Sequence, residues 1–305
     1  MSMPHEEAAR GAGVHPAHRG SIFLEEGELI SQETWPGEQF VLRIRARHCA
    51  ARALPGSFVH LTCDPDVPMR RPLSIQRVNA QEGWIEILYK IVGPGLRALS
   101  RRRVGDAISV LGPIGQPFRP DPKRPRALLV GGGVGIPPMV FLAEWMCAQP
   151  GTPWKPLVLM GSEIPFPFKT RPSTILVPGI PAGSIAAMPL LDGWGVPSRL
   201  ASKAGFPGCY DGFVTQLADE WLGALDDFAK AEVEMFSCGP TPMLEAVAKV
   251  AAKHAVPCQV SLEEFMACAV GGCAGCTVKV ATPDGPAMKR VCVDGPVFDS
   301  RAVFG

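Results

Sequence analysis

The 305 residues carry a formal charge of +1, which leaves no overall field to draw the chain to nucleic acid or to an anionic membrane surface. This length holds two domains, or two and a small appendage, each with its own core. Ten cysteines, with no N-terminal stretch that reads as an export signal, imply a reducing compartment and hence a cytoplasmic protein.

Residues 1–20 contain His5, His15 and His18 and show no apolar period, as expected of a disordered tail with solvated histidines. From Ser21 the pattern changes to short β-type runs, SIFLEEGELI, EQFVLRIRARH, SFVHLTC, RPLSIQRV, GWIEILYKI and DAISVLG, which predict a small six-stranded antiparallel barrel. A short helix opened by glycines, GPGLRALSRR, falls between the fifth and sixth runs. Within the barrel, Arg71-Pro72-Leu73-Ser74 sets a cation beside a rigid turn and a hydroxyl, a combination suited to gripping a diphosphate while backbone groups address a planar ring. Gly93-Pro94-Gly95 places free N–H groups at a helix start, where a phosphate is favoured. Taken alone, each is better explained by the plainer reading, an exposed strand arginine and an ordinary turn.

After the proline-rich linker GPIGQPFRPDPKRP, strand and helix patterns alternate, which predicts a doubly wound parallel sheet. ALLVGGGVGIPPMVFLAEWMC reads as a buried strand, a glycine turn and a helix with proline in its first turn. It is not the G-x-G-x-x-G fingerprint, because position 136 is Ile, yet Gly132, Gly133, Val134 and Gly135 stand where a pyrophosphate meets a helix N-terminus. The strand PLVLMGS follows, then a helix with Phe213, Leu217, Trp221 and Leu225 on one face, then the strand VEMFSCG. Cys238-Gly239-Pro240 ends that strand; the thiol is equally well explained as facing a bound nicotinamide or as packed in the core. Residues 164–208 form an excursion with eight prolines and many apolar residues, expected to pack on the protein or a partner. Two long uncharged stretches, 127–143 and 172–191, are broken by glycine and proline and do not read as membrane spans.

Cys268, Cys273 and Cys276 follow C-x4-C-x2-C, and Cys292 returns after a strand-like excursion, the spacing of a plant-type [2Fe–2S] site. Gly271, Gly272 and Gly275 let the backbone curl around such a group. Disulfides would need an oxidising compartment, and a structural zinc usually takes two separated pairs of cysteines.

Three motif sets thus stand in one order: RPLS with GPG, GGGVGIPPM with CGPTPML, and C-x4-C-x2-C with VCVDGPVF. From about Ser21 to Phe298 this series resembles the electron-transfer subunits of NAD-dependent dihydroorotate dehydrogenases, within the ferredoxin reductase-like superfamily. The resemblance implies a FAD-binding barrel (21–120), a NAD-binding α/β domain (121–257) carrying the 164–208 segment as an insertion, and a small C-terminal [2Fe–2S] domain (258–305). It implies that Arg71, Pro72, Leu73 and Ser74, with Leu88, Tyr89 and Lys90, hold FAD, and that Gly95 and Leu96 lie at its phosphates. The family usually has Gly-Thr at that last point, so Leu96 offers only its backbone N–H. Gly132, Gly133, Val134, Gly135, Gly239 and Pro240 would line the NAD(H) site, with Cys238 at the nicotinamide. Cys268, Cys273, Cys276 and Cys292 would ligate the cluster, and the surface at Ala269, Val270 and Ala274 would meet an FMN-containing catalytic partner, two copies of each subunit assembling together. A diaphorase of the same build, serving a hydrogenase, a sulfite reductase or a ferredoxin, is the alternative within redox chemistry; a scaffold that has lost its flavin or nucleotide is the alternative outside it. Glu163 favours NAD, whereas Lys169 and Arg171 nearby would favour a 2′-phosphate.

Overall fold

A computed structural model describes residues 21–149, 151 and 154–305. The expected tail, residues 1–20, lies outside them. Six strands, β1 (Phe23–Trp35), β2 (Gln39–Arg45), β3 (Phe58–Leu61), β4 (Arg71–Asn79), β5 (Trp84–Lys90) and β6 (Ala107–Ile114), close an antiparallel barrel in the order β1-β2-β5-β4-β3-β6. Strand alternation builds its core: Ile85, Ile87 and Tyr89 point inward from β5 to join Leu29, Leu42, Ile44, Val59, Leu61 and Ile75. Two short helices, α1 (Arg47–Arg52) and α2 (Pro94–Leu99), fill connections, and Leu96 and Leu99 of α2 also enter the core.

The second unit contains β7 (Arg126–Gly132), α3 (Ile136–Ala148), β8 (Leu157–Gly161), the paired bridges β9 (Arg171–Pro172) and β10 (Ala186–Ala187), α4 (Pro189–Gly193), β11 (Ser198–Ser202), β12 (Tyr210–Asp211), α5 (Val214–Gly223), α6 (Asp227–Ala231), β13 (Val233–Cys238), α7 (Thr241–Lys253) and β14 (Cys258–Ser261). The chain ends with the hairpin β15 (Thr277–Thr282) and β16 (Gly285–Arg290), then β17 (Val297–Asp299) and α8 (Ser300–Phe304). One seven-stranded sheet runs β12-β11-β8-β7-β13-β14-β17, parallel except that β17 runs antiparallel to β14.

Three sequence expectations need correction. The 164–208 segment is not an insertion throughout, because β11 is a wholly buried strand of the main sheet, hydrogen-bonded between β8 and β12. SRLAS has no hydrophobic run to signal this; it is buried on both faces and paired by backbone alone. The nucleotide sheet also does not stop at residue 257: β14 continues it, and β17, from the presumed cluster domain, forms its edge. Phe213 does not share the buried face of α5 but precedes the helix, 52% exposed, with the Lys203 ammonium 4.8 Å from its ring centroid.

The rest of that segment packs on the molecule, as its apolar content predicts. Phe166, Ala186, Met188, Leu191 and Val196 join the cluster around α3, and the Pro165 carbonyl accepts from Gln39 Nε2 of the barrel at 2.7 Å. Arg199, 5% exposed, donates to the Ile175 carbonyl at 2.7 Å and so fastens the segment to β11. Barrel and sheet meet through α3: Phe141 enters the barrel core, and Arg77 of β4 pairs with Glu144 at 2.6 Å between the rings of Trp84 and Trp194. Among the described residues, no helix is long and apolar enough to cross a membrane.

Candidate functional site

The four expected cluster cysteines come together as two pairs. The Cys273 N–H donates to Cys268 Sγ at 3.4 Å, and the Cys292 N–H donates to Cys276 Sγ at 3.4 Å, with side-chain contact inside each pair. Burial works to raise the Cys268 thiol, but N–H groups of Val270, Cys273 and Gly272 and the Cys273 side chain outweigh it and hold the group down at about 7. Cys292 is pushed up to about 12 by burial and then by the adjacent Cys276. Among the described residues no three of His, Cys, Asp and Glu are placed to hold one metal ion. A two-and-two arrangement of sulfurs, ringed by amide donors, fits a two-iron cluster, which needs two thiolates on each iron.

Loop conformation departs from expectation. The left-handed positions are Ala269 (φ 56°), Gly271 (φ 81°) and Ala274 (φ 53°), while Gly272 and Gly275 are not left-handed. A Cβ on Gly275 would lie 3.5 Å from Cys273 Sγ, an ordinary contact, while the Gly275 N–H donates to that sulfur at 3.4 Å. Two residues that sequence reasoning left without a role brace the loop: Arg290 donates to the Gly271 carbonyl at 3.0 Å and to Asp294 at 3.1 Å. The expected contact surface is also corrected. Ala269 is 1% exposed and packed in a buried cluster, Val270 is half-buried and Ala274 is exposed, whereas Phe265, earlier in the same segment, is 93% exposed.

This loop is tied to both other units. Gln116, just past β6, donates through its backbone to the Gly295 carbonyl at 2.6 Å and through its side chain to Val293 at 3.2 Å. Phe58 and Ile114 of the barrel share a buried cluster with Ala269, Cys276, Cys292 and Val293.

On the barrel, Arg71 and Gly95 meet. Arg71 Nη1 donates to the carbonyls of Met69 and Arg70 at 2.9 and 3.2 Å, while no acceptor among the described residues takes Nε or Nη2, which lie over Gly95. The first helical bond of α2 runs from the Arg97 N–H to Gly93, so the Gly95 and Leu96 amides precede the ladder. Free guanidinium donors beside open amides suit a diphosphate. Pro72 and Ser74 lie on the outer side of β4, Leu73 packs partly against the core, and Lys90 faces outward from β5, whereas Leu88 beside it is buried at 2% exposure. Tyr89 differs: it is 1% exposed, stacked on Phe40 and hydrogen-bonded to Gln32 at 3.1 Å, so only its backbone can address a ligand.

At the carboxyl ends of β7 and β13, the glycine turn rests on the Cys238-Gly239-Pro240 segment. A Cβ on Gly135 would overlap the Cys238 carbonyl and stand 2.5 Å from the Gly239 nitrogen, whereas Gly133 (φ 54°) opens to free space. Met243 lies over both Gly132 and Gly239. Cys238 is buried, and burial first, then the nearby Glu263 charge, pushes its thiol well above the ordinary range. Glu263, missed in the sequence, is exposed, and desolvation by its neighbours raises its carboxyl. Glu163 accepts from the Lys203 N–H at 3.4 Å beyond β8, whereas Lys169 and Arg171 line a different cleft with Trp35 and Met188.

The fold has solved counterparts. A NADH-dependent reduced ferredoxin–NADP oxidoreductase, solved in work on flavin-based electron bifurcation, matches 92% of this chain and 90% of its own at 24% identity, with a TM-score of 0.70. The cytochrome b5 reductase domain of Ulva prolifera nitrate reductase matches 84% and 98% at 17% identity, with a TM-score of 0.56. These likenesses show the fold, a ferredoxin reductase-like barrel and α/β sheet, to which this chain adds a C-terminal thiol loop. Residues 263–304 match the iron–sulfur cluster binding domain of dihydroorotate dehydrogenase B. The electron transfer subunit of dihydroorotate dehydrogenase B (NAD(+)) from Caldanaerobacter subterraneus subsp. tengcongensis is 35% identical over 82% of this chain and 87% of its own length; that of Bacillus caldolyticus is 31% identical over 92% and 99%. The chain belongs to the family of dihydroorotate dehydrogenase B electron transfer subunits.

Proposed function

We propose that the chain relays electrons between NAD(H) and a dihydroorotate dehydrogenase catalytic subunit in pyrimidine biosynthesis, through FAD and a [2Fe–2S] cluster. The observation that carries this reading is the pairing of Cys268 with Cys273 and of Cys276 with Cys292 on a segment fastened to both barrel and sheet. Bound flavin and cluster supply the exchange between two-electron hydride chemistry and one-electron transfer.

The chain's own residues bind, orient and insulate. Arg71 takes the FAD diphosphate with the Gly95 and Leu96 amides, and the Leu96 side chain, which has no oxygen to offer, packs into the barrel core. Pro72, Leu73 and Ser74, with Lys90 and the backbone of Leu88 and Tyr89, form the wall against the flavin ring. Gly132, Gly133, Val134 and Gly135, with Gly239 and Pro240, receive the NAD(H) pyrophosphate, and Glu163 accepts from an unphosphorylated ribose. Cys238 keeps a neutral thiol at the nicotinamide end and carries no proton away. The partner brings FMN, in an assembly of two copies of each subunit. Its surface faces the cluster loop at Val270, Ala274 and Phe265. The six cysteines outside the cluster set stand as free thiols, which suits a reducing cytoplasm.

The isolated chain is expected to oxidise NADH with dye acceptors while neither oxidising dihydroorotate nor reducing orotate. Mixing it with the dihydroorotate dehydrogenase catalytic subunit from the same source creates NAD-linked dihydroorotate oxidation. Turnover of dihydroorotate by this chain alone, or silence in the mixture, overturns the assignment.

A further inference from the structure

His60 occupies the middle of β3, between Val59 and Leu61, which point into the barrel core. Its own side chain points the other way, toward the cluster segment, and is 0% exposed. It stands opposite Pro72 of β4, inside the Arg71–Ser74 stretch that faces the flavin. The backbone carbonyls of Arg70 and Met266 lie beside the ring, yet neither ring nitrogen makes a hydrogen bond of normal geometry. Burial, then the charge of Arg70, lowers this histidine to about 4, so the ring is neutral and has a single N–H to give. Of the two carbonyls, that of Arg70 already accepts from Arg71 Nη1 at 3.2 Å. Among the described residues, no other donor reaches that of Met266.

A fully buried imidazole with neither nitrogen bonded is costly. Met266 lies two residues ahead of Cys268. We propose that His60 is a positioning residue of the relay, lending its N–H to the Met266 carbonyl and so locking the cluster loop to the strand pair that carries the flavin grip. This rests on the relay function above. The ring touches neither reacting group; it fixes the approach of one cofactor-bearing segment to the other, a distance on which electron transfer depends.

The test compares the holoprotein with His60→Leu, which removes both nitrogens, and His60→Gln, which keeps an amide N–H. Flavin and iron per chain, hydrogen exchange of the 265–273 amides, the electron paramagnetic resonance spectrum of the reduced cluster and the rate of cluster reduction by NADH are measured on each. In His60→Leu we expect flavin retained, faster exchange in the loop, an altered resonance and cluster reduction slowed about tenfold, the scale of one lost buried hydrogen bond. Loss of iron from the Leu variant alone supports the proposal equally. His60→Gln is expected to restore the parental spectrum and most of the rate. Parental exchange and parental rate in the Leu variant overturn the proposal, as does a Gln variant impaired as much as Leu. A parent chain without flavin or iron would instead sink the relay reading itself.

Discussion

The guanidinium of Arg71 lies directly over Gly95: a Cβ at that glycine would stand 2.7 Å from Nε and 2.8 Å from Cζ. Two motifs separated by more than twenty residues therefore act as one grip, since the glycine leaves the space that the cation fills. Arg71→Ala is expected to weaken FAD binding by about 1.5–3 kcal/mol, the worth of a hydrogen bond to a charged group. Gly95→Ala should weaken it in the same direction by pushing the arginine aside. Flavin fluorescence during dialysis reads both, and a Gly95→Ala chain that keeps its flavin like the parent would show that the two motifs work separately.

Cys273→Ser should remove or cripple the cluster while FAD stays bound. The thiol loop is attached to the barrel through Gln116, the Phe58 cluster and, on the proposal above, His60, and the Cys273 side chain takes part in none of these contacts. Iron and flavin analysis on the same sample decides the matter: parallel loss of both would contradict the separation of sites.

Gly135→Ala should destabilise the fold more than Gly133→Ala. The first Cβ meets the backbone of Cys238 and Gly239, which cannot rotate away, and overpacking of this kind costs about 1–3 kcal/mol. The second meets no atom within 4 Å and bears only the left-handed conformation, about 1–2 kcal/mol. Urea midpoints on the two variants test the order, and a reversed order would refute the close approach of the glycine turn to β13.

Hydrogen exchange should divide the 164–208 segment. Amides of β11, paired on both sides and buried, are expected to exchange slowly, while those around Leu176, 91% exposed, exchange fast. Uniformly rapid exchange from 186 to 202 would mean that the segment is not part of the sheet.

The cluster loop, the barrel strands and the glycine turn were legible in the chain itself, because each is written within about ten consecutive residues as a cysteine spacing, a period of two or a strand–glycine–helix change. Such signals depend on local geometry: three sulfurs must reach one point, and a strand must alternate. What only the tertiary structure decided involves partners distant in sequence. SRLAS became an internal strand because β8 and β12 offer it backbone bonds on both edges, and β17 left the cluster segment for the sheet by pairing with β14. Tyr89 turned into the barrel core, Ala269 and Ala274 took left-handed positions expected of glycines, and His60 was buried against Met266. No local pattern encodes these outcomes, since each follows from which surface arrives to cover the residue once the sheet and barrel have closed.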